Sequence, residues 1–521
     1  MCPQPRSNLG LNMRKTKPWI SARIYRITRK IHKWAGLTAC LWLFVLGVTG
    51  VILDHHEWRW VNQHWVPQSW SSDRMNQVIW PGTPMRYIAM SEENPEHIVG
   101  GSERGLWSSQ NIGETWTKIP FEGLGKTVPQ IHQILGNETG TFDNLILATD
   151  DGVWTLNSDT GPANRLAMKG KHITSLGYGH QPDELIGVVS KSHIFVLNTF
   201  DKSITPIHSE ANVTGLNAPE PLYRVMMDIH FGRGLLPGSG SIILNDLGGI
   251  ALAVLSLSGF LYWLMPKIWK RRKTPPKVRK YWQNWLYRMH GPTIGLVCLI
   301  PIFLVSVSAL PMNHIFWFIE KTRDVKIERS FLPPVYQAKS LHHEVTGVVA
   351  WPGTKNKISI GTRFGILHSE DHGESWVVDD TIPVDRGAAY ANFFGTGTYA
   401  FAGMSGNNYV INIASDEPQW EKIEGVRRAI TGAAIAGETL YVKNSKAIFR
   451  GLVGSPETHY EQTPITFHHV APGTPLFIFV ADIHSGAVFP APWKWVNDLL
   501  VMLALLLVLS GPIAWAWTRW R

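Results

Sequence analysis

Ile31–Leu53 reads IHKWAGLTACLWLFVLGVTGVIL. Past Lys33 it carries no charge until Asp54, and its length covers the about 20 residues with which an α-helix crosses a hydrocarbon core of about 30 Å. Three further apolar runs lie at 241–265, 294–312 and 495–517, the third reaching 289–312 with its flank. Four such runs with basic or aromatic flanks predict a four-helix transmembrane bundle rather than core helices of a soluble protein. The first lacks a small-residue cleavage site and follows a long basic leader, so it reads as a retained span, not a signal peptide.

Lys and Arg set the orientation. They crowd the leader (1–30), the segment between the second and third spans (266–288) and the last residues (518–521). Basic residues concentrate on the cytoplasmic side, so both termini and the 266–288 loop are predicted to be cytoplasmic. The segments 54–240 and 313–494 are then extracytoplasmic, as in a protein of a bacterial inner membrane. The net charge of +9 is explained by these topology signals, and nucleic acid is not an expected partner. Of the three cysteines, Cys2 precedes the first span while Cys40 and Cys298 lie within apolar runs, which excludes thiol catalysis and Cys-ligated zinc or iron–sulfur sites.

The two halves repeat. Asp228-Ile229-His230-Phe231-Gly232 returns as Asp482-Ile483-His484-Ser485-Gly486, Asn245-Asp246 as Asn497-Asp498, and Ser258-Gly259 as Ser510-Gly511. His32 with Gly36-Leu37 corresponds to His290 with Gly295-Leu296, and Asp54-His55 to Asn313-His314. Both halves run in the same direction, so the expected bundle is two tandem units about an axis along the membrane normal.

Between the spans the pattern is short β runs and turn signals. Ser109–Trp116 and Ser369–Trp376 resemble the Asp-box, a structural hairpin without catalytic duty, with Asn111 replacing Asp in the first copy. An apolar pair or triplet opening a strand recurs at Leu106, Val153, Ile194, Ile366, Tyr409 and Ile448. Three repeats per half, each about 40–47 residues, predict an all-β domain forming one six-bladed β-propeller closed from both halves; two separate β-domains are the alternative. A sialidase-like activity is not expected, because no convergent Arg cluster with a Tyr/Glu pair is visible.

The repeat sorts the histidines into pairs. His32 and His290 fall at the cytoplasmic ends of the first and third spans, His55 and His314 at their outer ends, and His230 and His484 just before the second and fourth spans. His32 and His55, 23 residues apart, are separated by about 35 Å along a helix and cannot share a metal. Imidazole ligates haem iron, and a bundle can hold haem between facing helices. Two haem b groups, one per leaflet, would give an electron path across the bilayer. No C-x-x-C-H occurs, which excludes covalent haem. His56, His342, His343, His468 and His469 read as solvated or structural, and Arg233 as an interfacial residue that could also attract an anionic chelate or propionate.

Arg29-x-x-His32-x-Trp34-x-Gly36-Leu37 and Asp228-Ile229-His230-x-Gly232, each beside an apolar span, resemble the PepSY-associated transmembrane proteins. The resemblance covers the four spans and implies a di-haem, ferric-siderophore reductase-like protein. It implies His32, His290, His230 and His484 as axial ligands, with His55 and His314 as the alternative outer pair. Quinol or a separate reductase would be the electron donor, and ferric iron or a ferric chelate the acceptor. The outer segments depart from the family by carrying β sequence in place of a PepSY module. Two alternatives are a membrane-anchored β-propeller that binds a partner protein or peptide without catalysis, and an anchored hydrolase.

Overall fold

The computed structural model describes residues 22–519 except 56–57, 71–86, 92–93, 95, 103, 126–127, 137–143, 158–160, 208–212, 217, 383–391, 405–406, 427–428, 445–446, 453–458 and 466–472. Cys2, His56, His468, His469, most of the basic leader and the two last residues lie outside the described residues. In chain order the helices are α1 (Ala22–Asp54), α2 (Arg59–Gln63), α3 (Leu222–His230), α4 (Gly240–Arg271), α5 (Pro276–His290), α6 (Pro292–Val297), α7 (Leu299–Asn313), α8 (Ile315–Thr322), α9 (Leu476–Ser485) and α10 (Trp493–Arg519). The chain divides into a helical unit (1–51, 246–310, 495–521) and a β-rich unit (52–245, 311–494).

In the helical unit, α1, α4 and α10 are each long and apolar enough to cross a membrane. The expected third span is not one straight helix. Pro276–Val297 and Leu299–Asn313 meet at a bend of 76°, giving three spans, or four if this pair counts as one. Pro301 accounts for the break: it has no N–H for the Val297 carbonyl four residues back, and its ring pushes against that carbonyl. A second interruption at Gly291 precedes Pro292 for the same reason. The basic segment expected as a loop is helical over α5, which opens on Pro276, a residue preorganised for a first helical turn.

Close packing between α1 and α4 depends on small residues. A Cβ on Gly47 would lie 2.5 Å from the Gly249 carbonyl oxygen, the kind of backbone approach that small residues permit within membranes. Between α1 and α10, Ala39 and Leu43 pack on Leu500 and Ala504, and Trp42 Nε1 donates to Asn497 Oδ1 at 2.6 Å.

Among the described residues, the β-rich unit contains six sheets built on four consecutive antiparallel strands each, starting at Tyr87, Ile131, Ile173, Val345, Asn392 and Ile430. The first strands of successive sheets pack on one another in order, and the first strand of the sixth packs back on that of the first. Ile88, Met90 and Trp107 of the first sheet share a buried cluster with Ala434 and Ile448 of the sixth. The recurring apolar pairs and triplets lie at the start of the third strand of each sheet. Val213–Thr214, from the first half, adds a parallel fifth strand to the fourth sheet beside Trp376–Val378.

Two-residue strands tie the halves together reciprocally. Trp65–Val66, after α1, pairs with Thr474–Pro475, before α9. Lys326–Ile327, after α8, pairs with Glu220–Pro221, before α3.

Both octapeptides form hairpin turns. Asn111 Oδ1 accepts from the Thr115 N–H at 2.9 Å, and Asp371 Oδ1 from the Ser375 N–H at 2.9 Å. The Ser375 hydroxyl and N–H hold the Asp371 carboxyl down at about 2. Asp371→Asn, the residue already used at Asn111, should leave the melting temperature close to wild type at neutral pH, while Asp371→Ala should lower it in a thermal melt. A carboxyl depressed in the folded state stabilises fully above its unfolded value, so the Asp371 contribution should fade as pH falls through about 2.

Candidate functional site

In the helical unit, His32 on α1 and His290 at the end of α5 face each other with ring centroids 6.1 Å apart. Each leans on the Ser-Gly pair of a neighbouring helix. His32 Nδ1 lies 2.9 Å from Ser510 Oγ, whose own hydroxyl points to the Leu507 carbonyl at 3.3 Å. With its proton committed there, Ser510 accepts from an Nδ1–H of His32. His290 Nδ1 donates to the Leu255 carbonyl at 2.9 Å. The carbonyl contact assigns the His290 proton to Nδ1 and leaves Nε2 with its lone pair, the arrangement in which an outer hydrogen bond orients a metal-ligating histidine, and Ser510 can hold His32 in the same way. Gly259 is required here: a Cβ would fall 2.6 Å from His290 Cε1. At the equivalent Gly511 a Cβ would stand 3.6 Å from His32 Cε1, an ordinary contact.

In the β-rich unit, His230 at the end of α3 and His484 near the end of α9 face each other at 6.3 Å. Prolines precede both helices as N-caps, Pro221 and Pro475, and end the short strands described above. Asn245 Nδ2 donates to the His230 carbonyl at 3.1 Å and to Asp54 Oδ2 at 2.6 Å. The His484 ring keeps some exposed surface, yet the protein packed around it pushes its imidazole down to about 4, keeping it neutral.

His55 stacks on Trp58 with centroids 4.4 Å apart and planes 3° from parallel. His314 stands at the N-cap position of α8. Arg233 places its guanidinium over the Phe231 ring at 5.4 Å.

A buried ion network anchors α3. Arg224 reaches Glu220 at 3.2 Å and Asp228 at 3.7 Å; Arg363 reaches Asp228 at 3.5 Å and Glu344 at 2.8 Å; Arg329 pairs with Glu220. Tyr336 donates its hydroxyl to Asp228 at 2.9 Å, and burial, then the Asp228 charge, pushes its phenol up. Burial likewise raises the Glu344 carboxyl. Contrary to the expectation from sequence, arginines do converge here beside a Tyr/Glu pair, Tyr336 and Glu344. The cluster is closed: Arg224, Asp228 and Tyr336 have no exposed surface, and the arginines face the protein's own carboxylates. It fixes Asp228, two residues before His230, to the turn ahead of Gly365. Nothing local in the sequence announces it, since Arg224 and Arg363 are 139 residues apart.

Among the described residues no group of three or more His, Cys, Asp or Glu could hold a metal ion. Haem asks for less. Two imidazole nitrogens about 2 Å from one iron, with ring centres about 1 Å further out, place the centroids about 6 Å apart. Both pairs have the centroid spacing that axial ligation of one iron by each pair would need.

A family model described as the PepSY-associated TM region matches residues 29–519. No curated protein matches the chain significantly. Solved structures that it resembles include PorZ, a surface component of the type-IX secretion system of Porphyromonas gingivalis (11% identity, 74% of this chain and 33% of that one, TM-score 0.35). An ancestral GH74 enzyme (9%, 76% and 40%, TM-score 0.34) and YCF48 bound to a D1 peptide (8%, 72% and 78%, TM-score 0.32) are also similar. The chain thus spans 33% and 40% of the first two.

Proposed function

The chain belongs to the PepSY-associated transmembrane family, and on that premise we propose that it carries electrons outward across a bacterial inner membrane to ferric iron or a ferric chelate. His32 and His290 would hold the inner haem b, and His230 and His484 the outer one. The observation that carries this reading is the matched ring separation, 6.1 and 6.3 Å, in two pairs related by the repeat. Bound haem would supply a one-electron couple. The chain's own residues do the positioning: Ser510 and the Leu255 carbonyl orient the inner imidazoles, and the network around Asp228 holds the helix that ends in His230. The stacking of His55 on Trp58 favours His230/His484 over His55/His314 as the outer pair.

In the same reading the bent pair is one span, the third of four, and both termini are cytoplasmic. The six sheets are the blades of a periplasmic propeller closed from both halves, a view supported by the packing of the sixth sheet on the first. Quinol or a separate reductase supplies the electrons.

An optical spectrum of the purified full-length protein, oxidised and then dithionite-reduced, tests the proposal. A Soret band with low-spin bis-imidazole features is expected; its absence from protein expressed with adequate haem overturns the reading.

Gly259→Ala should displace His290 and lower the content of the inner haem, whereas Gly511→Ala should be tolerated; haem per protein in each variant checks the contrast. Ser510→Ala removes the partner that orients His32 and should weaken haem retention by roughly 10–100-fold, the usual cost of losing such a partner, measured as haem transfer to an apo-globin acceptor.

A further inference from the structure

His132 and His172 play no part in the reading above. His132 is the second residue of the first strand of the second sheet, and His172 immediately precedes the first strand of the third. Their Nε2 atoms stand 3.0 Å apart, with ring centroids at 4.6 Å. Two nitrogens bound to one metal at about 2.0–2.1 Å, with about 90–110° between the bonds, are about 3.0–3.3 Å apart. The pair therefore already has the spacing of two adjacent ligands on one ion.

The repeat shows that His132 departs from the pattern of its own fold. The first strands of the second, third, fourth and sixth sheets share a bulge at their second residue. That residue is Thr174, Thr346 and Thr431 in three of them. Thr174 and Thr431 turn their hydroxyls back to carbonyls of their own sheets, Val188 and Lys443, at 3.3 Å. In the second sheet the bulge carries His132 and directs its ring across to the third sheet. Bulges re-aim side chains in this way next to functional sites.

The neighbouring residue makes the placement rigid. Gln133, buried, accepts from Ser175 Oγ at 3.0 Å and the Leu176 N–H at 2.9 Å, and donates to the Leu176 carbonyl at 2.6 Å. The His172 carbonyl accepts from the Ser190 N–H at 2.9 Å. The clamp between the two sheets thus lies one residue from His132 and three from His172.

We propose that His132 and His172 form a two-histidine site for a first-row divalent transition-metal ion. Imidazole suits the ions from Fe(II) to Zn(II). Two imidazoles fill two positions of such an ion, and water or donors of an incoming chelate would fill the others. The site is independent of the membrane histidines and of haem.

The test uses the full-length protein in detergent, titrated with Co(II). His132→Gln and His172→Gln should each remove one bound equivalent or weaken it at least ten-fold, and the double variant should lose no more than either alone. His132→Cys should restore binding with a near-ultraviolet thiolate-to-Co(II) charge-transfer band that vanishes when His172→Gln is added. Unchanged titrations in the Gln variants, or a Cys variant without the band, would mean that the pair is only an imidazole–imidazole hydrogen bond and would overturn the site. Far-ultraviolet circular dichroism confirms that each variant is folded, and the Cys variant decides the matter if a Gln variant is not.

Discussion

Replacing Arg363 by methionine should destabilise the β-rich unit by roughly 3–5 kcal/mol, the usual cost of removing one partner from a buried ion pair. The described pairs join three carboxylates, Glu220, Asp228 and Glu344, to three arginines, Arg224, Arg329 and Arg363. Charge balances only while all six are present. Without Arg363, Glu344 loses its partner at 2.8 Å, and Asp228 keeps only Arg224 and the Tyr336 hydroxyl. Neither acid can be rescued by water, because Asp228 is wholly buried and Glu344 is 9% exposed. The Arg233 carbonyl also loses its donor at 2.7 Å, which loosens the turn after His230. Denaturant unfolding followed by tryptophan fluorescence should show the midpoint fall. Lys422→Ala, which breaks an exposed pair with Glu424, should leave it almost unmoved, since exposed pairs contribute little. Equal midpoints for the two variants would show that the network is not structural.

On the proposed haem assignment, His290→Leu should lose one of two haems and reduce electron delivery to a ferric chelate to background. Leucine fills a similar space without offering a ligand, and His32, whose centroid lies 6.1 Å away, is left alone on its side. His484→Leu should have the same effect on the other haem. Haem per protein, with chelate reduction driven from a quinol, measures both losses. His55→Leu is the control and should retain two haems. Full haem content in both the His32→Leu and His290→Leu proteins would refute the ligand assignment.

The spans and the histidine spacing were legible because apolar length and the period of a repeat are one-dimensional properties. The Ser258-Gly259 and Ser510-Gly511 pairs were visible as repeats, but their use was not, since it depends on which helix lies against which ring. The break at Cys298 was signalled by Pro301 and masked by continuous apolarity. The basic stretch before His290 looks like a loop in sequence because its charge marks topology and conceals a proline-started helix.

Sequence alone determined that the chain is doubled, carries membrane-spanning helices and places β structure between them, since hydrophobic length and strand alternation act locally along the chain. Tertiary structure alone decided that His32 meets His290 and His230 meets His484, that Arg224 and Arg363 close around Asp228, and that His132 turns toward His172. Each of these depends on side chains from distant segments arriving at one point, and the free energy that holds them there, desolvation and packing, exists only once the segments are together.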